Sequence, residues 1–168
     1  PAQGDLLLLK LLPAALHRRL YRCAHFARKQ VWKLRRPRVD GVRVLARDPA
    51  GRVLLVRHSY GTAKWMAPGG GLRRGEDPLV AAARELREET GCRLIGARLA
   101  AVVEENLHGA RNRVHVVTGS AAGAPVPDGR EIIAARFFAV DRLPPAHAPA
   151  GLATQIAATQ IAGCPPAD

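Results

Sequence analysis

Clear start and stop signals bound a helix in the middle of this 168-residue chain. Asp77 can cap the first turn, Pro78 suits the first helical position, and Gly91 suits the residue after the last turn. The runs "VRVLAR" and "VLLVRH", joined by a "DPAG" turn, precede the helix as a hairpin. Further β-type runs follow it, namely "RLIGARLAAVVEE", "RVHVVTG" and "AARFFAV". This order predicts an α/β fold, with a mixed sheet between helices.

The helix carries three acids close together, within "RELREETG". Glu85, Glu88 and Glu89 lie three and four residues apart, so they are neighbours on the helix surface and repel one another. A hard divalent cation prefers such oxygen ligands, and Mg²⁺ is typically held by a few carboxylates together with substrate phosphates. Three consecutive glycines at positions 69–71 allow backbone to approach the same patch, because no Cβ stands in the way. A site that combines metal, backbone and phosphate is therefore predicted.

The spacing of these residues resembles the Nudix box, G-x5-E-x7-R-E-U-x-E-E-x-G-U, in which U is bulky and apolar. All of its fixed letters are present, at Gly70, Glu76, Arg84, Glu85, Glu88, Glu89 and Gly91. Cys92 stands at the last U position, where it is smaller than the usual Ile, Leu or Val. Upstream "W..PGGG" and downstream "ARFFAVDRLPP" also look like Nudix hydrolases, so the similarity covers about residues 40–160.

This resemblance implies an α/β/α sandwich of the Nudix type and Mg²⁺-dependent hydrolysis of a diphosphate linked to another group, usually a nucleoside. Mn²⁺ is an alternative ion. The residues implied as metal ligands are Glu85, Glu88, Glu89 and Gly70, the last through its carbonyl. Those implied as support for the loop and the carboxylates are Glu76, Arg84, Gly69, Gly71 and Gly91.

A general base would assist the attack of water on phosphorus. Inside the box it can be Glu88 or Glu89. Outside the box the resemblance leaves Glu104, Glu105 and Glu131, of which Glu131 is favoured because it immediately precedes the strand "IIAARFF". The predicted catalytic residues are Glu88, Glu89, Arg84 and Glu131.

Residues around the glycine loop are further candidates. Arg57, His58 and Tyr60 follow the second strand and are predicted substrate contacts, with ordinary strand-end residues as the alternative. Trp65 is predicted to pack in the core. The apolar face of the central helix is predicted to include Leu79, Ala82, Ala83 and Leu86.

The N-terminal segment shows an apolar stripe at helical spacing, made of Leu16, Leu20, Cys23, Ala27, Val31 and Leu34. Pro13 can start this helix and Pro37 ends it. Residues 1–40 carry ten Lys and Arg against two acids, within a formal net charge of +12. The predicted role of this basic amphipathic helix is docking on its own domain or at a homodimer interface. Contact with an anionic membrane surface or with nucleic acid is the alternative.

Cysteine spacing and hydropathy favour a cytoplasmic location. The three cysteines are far apart and include no CxxC pair, so neither a disulfide framework nor a zinc site is predicted. The apolar run at residues 6–12 is interrupted by Lys10 and is much shorter than the roughly 20 residues of a membrane span. No integral membrane span and no secretory signal are expected.

The sequence thus predicts a basic helical extension at residues 1–39, a Nudix hydrolase domain at residues 40–163 and a tail at residues 164–168. The predicted function is Mg²⁺-dependent cleavage of a phosphoanhydride bond in a nucleoside diphosphate-linked or nucleoside triphosphate substrate. ADP-ribose, a nucleoside triphosphate and a dinucleoside polyphosphate all fit. The alternative is a Nudix fold that senses nucleotides or binds RNA with little turnover. The acidic cluster argues against that alternative, because a binding module has no need of mutually repulsive carboxylates.

Overall fold

The computed structural model describes residues 38–60, 64–107 and 110–144, and in these ranges it contains a five-stranded sheet and one α-helix. The strands are β1 (Arg38–Arg47), β2 (Val53–His58), β3 (Arg93–Leu107), β4 (Ala110–Ala122) and β5 (Ile132–Phe138). Helix α1 spans Pro78–Thr90, and a short 3₁₀ turn at Val140–Arg142 follows β5. The predicted N-terminal helix, a weak helical pattern in "GLATQIAATQIAG" and the C-terminal tail lie outside the described residues.

The sheet is mixed, as the sequence predicts. Its strand order is β3-β4-β1-β2-β5, in which β1 and β4 run parallel while the other neighbours run antiparallel. β1 and β2 pair at Arg47 and Val53, beside the predicted turn, and then separate. The segment 66–72 runs between them and bridges to both, through Met66 opposite Val56 and Gly71 opposite Gly41. The glycine loop is therefore built into the sheet.

Helix α1 begins and ends as the sequence predicts. The Asp77 carboxylate accepts the backbone N–H groups of Leu79 and Val80 at 2.7 and 3.2 Å, and Pro78 occupies the first turn. Gly91 ends the helix with φ of 72°, and its N–H donates to the Arg87 carbonyl at 2.9 Å. A left-handed residue is easiest for glycine, which explains the stop at this position.

The face that α1 buries differs in part from the predicted one. Ala82 and Leu86 are fully buried as predicted, whereas Leu79 and Ala83 are only partly buried. The buried ridge continues instead to Glu89, which is 6% exposed. Glu89 lies seven positions after Ala82, and residues at this spacing share a helix face. The helix therefore packs on the sheet with this glutamate facing inward, which the positions of the apolar residues alone do not predict.

A core lies on each face of the sheet, because alternate residues of a strand point to opposite faces. The cluster against α1 includes Val44, Leu54 and Leu86, and the fully buried Cys92 fits into it at the end of the box. The second cluster includes Leu45, Leu55 and Val116. Trp65 packs against this second cluster, as predicted, and meets Phe138 edge-on with ring centroids 4.8 Å apart.

Within the described ranges, no helix has both the length and the apolar character that a membrane span requires.

Candidate active site

The glycine loop is held against β1 by backbone hydrogen bonds. Val44 N–H donates to the Pro68 carbonyl at 2.8 Å, and Val42 N–H donates to the Gly70 carbonyl at 2.9 Å. Gly69 has φ of 150°, and a Cβ there would lie 2.0 Å from the Val42 carbonyl oxygen. Only glycine fits that position without moving the strand. Gly71 differs, because a Cβ there would meet nothing within 4 Å.

Glu85 lies directly on this loop. A Cβ on Gly70 would approach the two Glu85 carboxylate oxygens to 2.6 and 2.8 Å, so the missing side chain makes room for the carboxylate. The Glu85 side chain is 14% exposed. Burial raises its pKa, and the nearby charges of Glu88 and Glu131 raise it further, against the lowering effect of Arg84. A carboxylate in these surroundings gains from a cation.

Glu89 reaches the same loop from the next turn of α1. One carboxylate oxygen accepts the Gly69 N–H at 3.1 Å, and the other lies 3.6 Å from His58 Nε2. Burial raises the pKa of Glu89, while His58 and the Gly69 N–H lower it. The structure thus brings two of the three predicted acidic ligands to the glycine loop.

Arg84 is clamped beside these acids. Its Nε and Nη2 donate to the two oxygens of Glu76 at 2.8 and 2.9 Å, and its Nη1 donates to Glu85 at 2.6 Å. The Arg84 hydrogen bonds lower the pKa of Glu76 to about 2, and the Arg73 backbone N–H contributes in the same direction. The paired carboxylates raise the pKa of Arg84 in turn. This geometry supports the proposed holding role of Arg84 and Glu76.

Glu88 stands apart from the other two acids. Its side chain is 57% exposed, and its ion pairs to Arg84 and Arg73 are long, at 3.6 and 3.9 Å. Among the residues that the structure describes, no three acidic, histidine or cysteine side chains converge on one metal position as they stand. Arg84 Nη1 lies 2.6 Å from Glu85 and 3.6 Å from Glu88, so it contacts both carboxylates.

The donor set nevertheless has the chemistry that Mg²⁺ requires. Glu85 and Glu89 supply buried carboxylate oxygens, and the Gly70 carbonyl keeps a second lone pair beyond the bond from Val42. Glu88 is on the same helix, one turn from Glu85, and its exposed side chain is free to change rotamer. The residues present therefore fit a magnesium ion.

The end of β2 contributes the remaining predicted residues. Tyr60 donates its hydroxyl to a Glu131 oxygen at 2.5 Å, and its ring meets that of His58 edge-on at 5.2 Å. The Arg57 guanidinium lies over the Trp65 ring, 5.7 Å from its centroid. Glu131 is close enough to Glu85 for its charge to raise the pKa of Glu85. The sequence identifies Tyr60 and His58 as substrate contacts, and that role stays a prediction. In the structure both lie against acids, Tyr60 against Glu131 and His58 against Glu89.

Glu104, an alternative base, is exposed on β3, opposite Arg113. The side chain of Glu105 lies outside what the structure describes. Glu131, the third candidate outside the box, accepts the Tyr60 hydroxyl, and its charge acts on Glu85 of α1.

The family model described as the NUDIX domain matches residues 37–158 of this sequence. The chain belongs to the Nudix family. The match includes the glycine loop, the box helix and all five strands. The matched region therefore contains all the box residues described above.

Curated relatives match over a shorter stretch. An RNA pyrophosphohydrolase of Roseobacter denitrificans is 43% identical over 65 residues, which is 38% of this chain and 39% of the relative. Diphosphoinositol polyphosphate phosphohydrolase 2 of Rattus norvegicus is 41% identical over 66 residues, which is 39% of this chain and 37% of the relative. The aligned stretch thus spans less than two fifths of either relative.

A solved structure covers more of the chain. The MutT Nudix hydrolase of Burkholderia pseudomallei is 28% identical, with a TM-score of 0.62, over 74% of this chain and 98% of that one. The Nudix protein of Burkholderia thus shares the fold described above along nearly its whole length.

Proposed function

We propose that this Nudix protein is a Mg²⁺-dependent pyrophosphohydrolase that cleaves a phosphoanhydride bond in a nucleotide-type substrate. The observation that carries the proposal is the burial of Glu85 and Glu89 against the glycine loop. Burying charged carboxylates is costly unless a positive partner compensates. Arg84 compensates Glu85 in part, and among the described residues Glu89 is contacted by His58 and by one backbone N–H. A divalent cation would complete the compensation and would supply positive charge for a diphosphate.

In this mechanism Mg²⁺ would be held by Glu85, Glu88, Glu89 and the Gly70 carbonyl. When bound, the ion neutralises charge on the phosphate oxygens and lowers the pKa of a bound water. Arg84, fixed by Glu76, keeps the Glu85 carboxylate in place. Glu131 takes the proton of the water that attacks phosphorus, and the bridging oxygen leaves with the released phosphate group. Mn²⁺ is proposed to replace Mg²⁺ because it also prefers carboxylate and carbonyl oxygens.

The proposed substrate class follows from the names of the relatives and from the positive charge of this chain. One curated relative is named for RNA pyrophosphate and another for a diphosphoinositol polyphosphate. Both names describe a phosphoanhydride on a larger anionic molecule. The high formal charge of this chain, +12, favours such polyanions in general. Nucleoside diphosphate-linked compounds and nucleoside triphosphates remain the proposed class, with the 5′ end of RNA as its largest member.

The test is analysis of the reaction products by anion-exchange chromatography after incubation with Mg²⁺ and each of five substrates, because ADP-ribose and a dinucleoside tetraphosphate are cleaved to nucleotides or a sugar phosphate rather than to free phosphate or pyrophosphate. The panel contains 5′-triphosphorylated RNA, a nucleoside triphosphate, ADP-ribose, a dinucleoside tetraphosphate and a diphosphoinositol polyphosphate. Glu85→Gln and Glu89→Gln should each lower kcat at least about a hundredfold on any substrate that is cleaved. Asp141→Asn is the matched control, because Asp141 is an exposed carboxylate whose ion pair to Arg142 is 3.8 Å long. Saturable binding without hydrolysis across the panel would favour the nucleotide-sensing or RNA-binding alternative.

A further inference from the structure

We propose that Tyr60 is the positioning residue for the general base Glu131, and that the Glu131 oxygen not bound to Tyr60 accepts the proton. This assignment rests on the proposed hydrolysis. It replaces the predicted role of Tyr60 as a substrate contact.

The Tyr60 hydroxyl and Glu131 Oε1 are 2.5 Å apart, in a partly buried location. An O–H donor bonded to an ionised carboxylate at such a short distance is among the stronger hydrogen bonds in proteins. Oε2 is the oxygen that does not accept this bond, and it is the one that we assign to the water.

The backbone around this pair is fixed as well. Ser59 N–H donates to the Glu131 carbonyl at 2.8 Å, which ties the end of β2 to the residue before β5. On the other side, Asp128 accepts the backbone N–H groups of Arg130, Glu131 and Ile132 at 3.0, 3.3 and 2.8 Å. With both backbones held, the Tyr60 bond leaves the Glu131 carboxylate little freedom to rotate.

The ring of Tyr60 is supported by the same group of residues. It meets His58 edge-on at 5.2 Å, and His58 lies 3.6 Å from Glu89. The end of β2 therefore contacts one acid on α1 and one acid before β5. Through Tyr60 and His58, the Glu131 carboxylate is therefore connected by a chain of contacts to Glu89 of α1. A base held at a fixed distance from its water gains rate through orientation.

The experiment is a double-mutant cycle on the panel substrate that the wild-type protein cleaves with the highest kcat/KM. Tyr60→Phe removes the hydroxyl and keeps the ring. We expect kcat to fall about tenfold while KM stays within about twofold, because a hydrogen bond to a charged acceptor is lost. Glu131→Gln should lower kcat at least about a hundredfold. In the Glu131→Gln background, Tyr60→Phe should have no further effect.

Two further variants serve as a control and as a second background for the double-mutant cycle. Ser59→Ala is the matched control. It removes a neighbouring buried hydroxyl that has no hydrogen-bond partner among the described residues, and it leaves the backbone bond from Ser59 to Glu131 intact. It should keep kcat within about twofold of wild type. Glu131→Asp withdraws the carboxylate from Tyr60 by one methylene. In that background the cost of Tyr60→Phe should also disappear, and this second cycle replaces the first if the Gln variant does not fold.

Three results would overturn the assignment. A raised KM at unchanged kcat would make Tyr60 a substrate contact. Effects of Tyr60→Phe and Glu131→Gln that multiply would show that the two residues act independently. A Tyr60→Phe variant as active as wild type would remove any role for the hydroxyl. If the wild-type protein cleaves no panel substrate with Mg²⁺, the proposed function itself fails, which is a different and separately visible result.

Discussion

Replacing Glu76 by Gln should reveal how strongly the Arg84 clamp stabilises the fold. Glu76 receives two hydrogen bonds from Arg84 and one from the Arg73 backbone, and its side chain is only 10% exposed. Its pKa falls from 4.5 to about 2. At about 1.36 kcal/mol per pKa unit, this shift corresponds to about 3 kcal/mol of stability. Because Gln keeps some of the hydrogen bonds, we expect Glu76→Gln to lower the free energy of unfolding by about 1.5–3 kcal/mol at pH 7.

The pH dependence gives this prediction its sign. A carboxyl with a lowered folded-state pKa stabilises the fold fully above its unfolded-state pKa, here about 4.5. The unfolded chain takes up the proton near pH 4.5, whereas the folded protein takes it up only near pH 2. The stabilisation is therefore lost as the pH falls from about 4.5 to about 2. The difference between wild type and Glu76→Gln should therefore be constant from pH 7 to about pH 5 and shrink steadily below that.

The assay is urea unfolding of both proteins, followed by far-UV circular dichroism, at several pH values. Asp141→Asn serves as the control, because Asp141 and Arg142 are highly exposed and 3.8 Å apart. Exposed pairs of this kind contribute little, so this variant should match wild type within about 0.5 kcal/mol. A Glu76→Gln variant as stable as wild type at pH 7 would refute the reasoning. A stability difference that does not shrink in acid would do so as well.

Three further perturbations test the packing and the chemistry. Glu88→Gln should lower kcat at least about a hundredfold without a change in the unfolding midpoint, because the side chain is 57% exposed; activity within a few-fold of wild type would count against a metal role. Leu86→Ala removes a fully buried side chain and should lower the free energy of unfolding in urea by about 2–5 kcal/mol. Gly69→Ala places a Cβ 2.0 Å from the Val42 carbonyl and should cost at least about 2 kcal/mol in the same assay, whereas Gly71→Ala, in open space, should cost under about 0.5 kcal/mol.

Local signals explain why the ends of α1 can be read from the sequence. Asp77 and Gly91 act through hydrogen bonds to residues within four positions, so the signal and its consequence are adjacent in the chain. The strand ends are set differently. The run "VRVLAR" predicts a strand from residue 42, but β1 starts at Arg38 because it pairs in parallel with β4 along ten residues, beginning opposite Arg111. That pairing joins segments about 70 residues apart, and no local pattern encodes it.

The last strand coincides with the run "IIAARFF" rather than with "AARFFAV", for a related reason. β5 spans Ile132–Phe138, because the pairing with β2 extends to Ile132 opposite His58. Val140 instead begins the 3₁₀ turn that follows the strand. Propensity alone favours a strand at valine, but the hydrogen-bonding partner ends first.

The residues of the candidate site differ in the same way: some are close together in the sequence, and others are brought together by sheet pairing. The box spacing makes Glu85, Glu89 and the glycine loop visible in the sequence, because all of them lie within about two dozen residues of one another. Tyr60 and Glu131 are 71 positions apart, and their hydrogen bond exists only because β2 and β5 are neighbours in the sheet. A sequence reading can propose each of them singly. It assigns Tyr60 to the substrate because Tyr60 follows the second strand, in the loop before the glycines.

The two groups of residues contribute different parts of the proposed chemistry. The box acids are fixed to one helix, whose position is determined by its apolar residues and by glycines that permit close approach. The base comes from a different strand connection and depends on sheet pairing for its position. Perturbing the buried face of the helix should therefore affect stability and metal affinity together. Perturbing the end of β2 should instead affect kcat alone, because β2 and β5 remain paired when only the Tyr60 hydroxyl is lost. The two kinds of variant separate the binding of the ion from the delivery of the water.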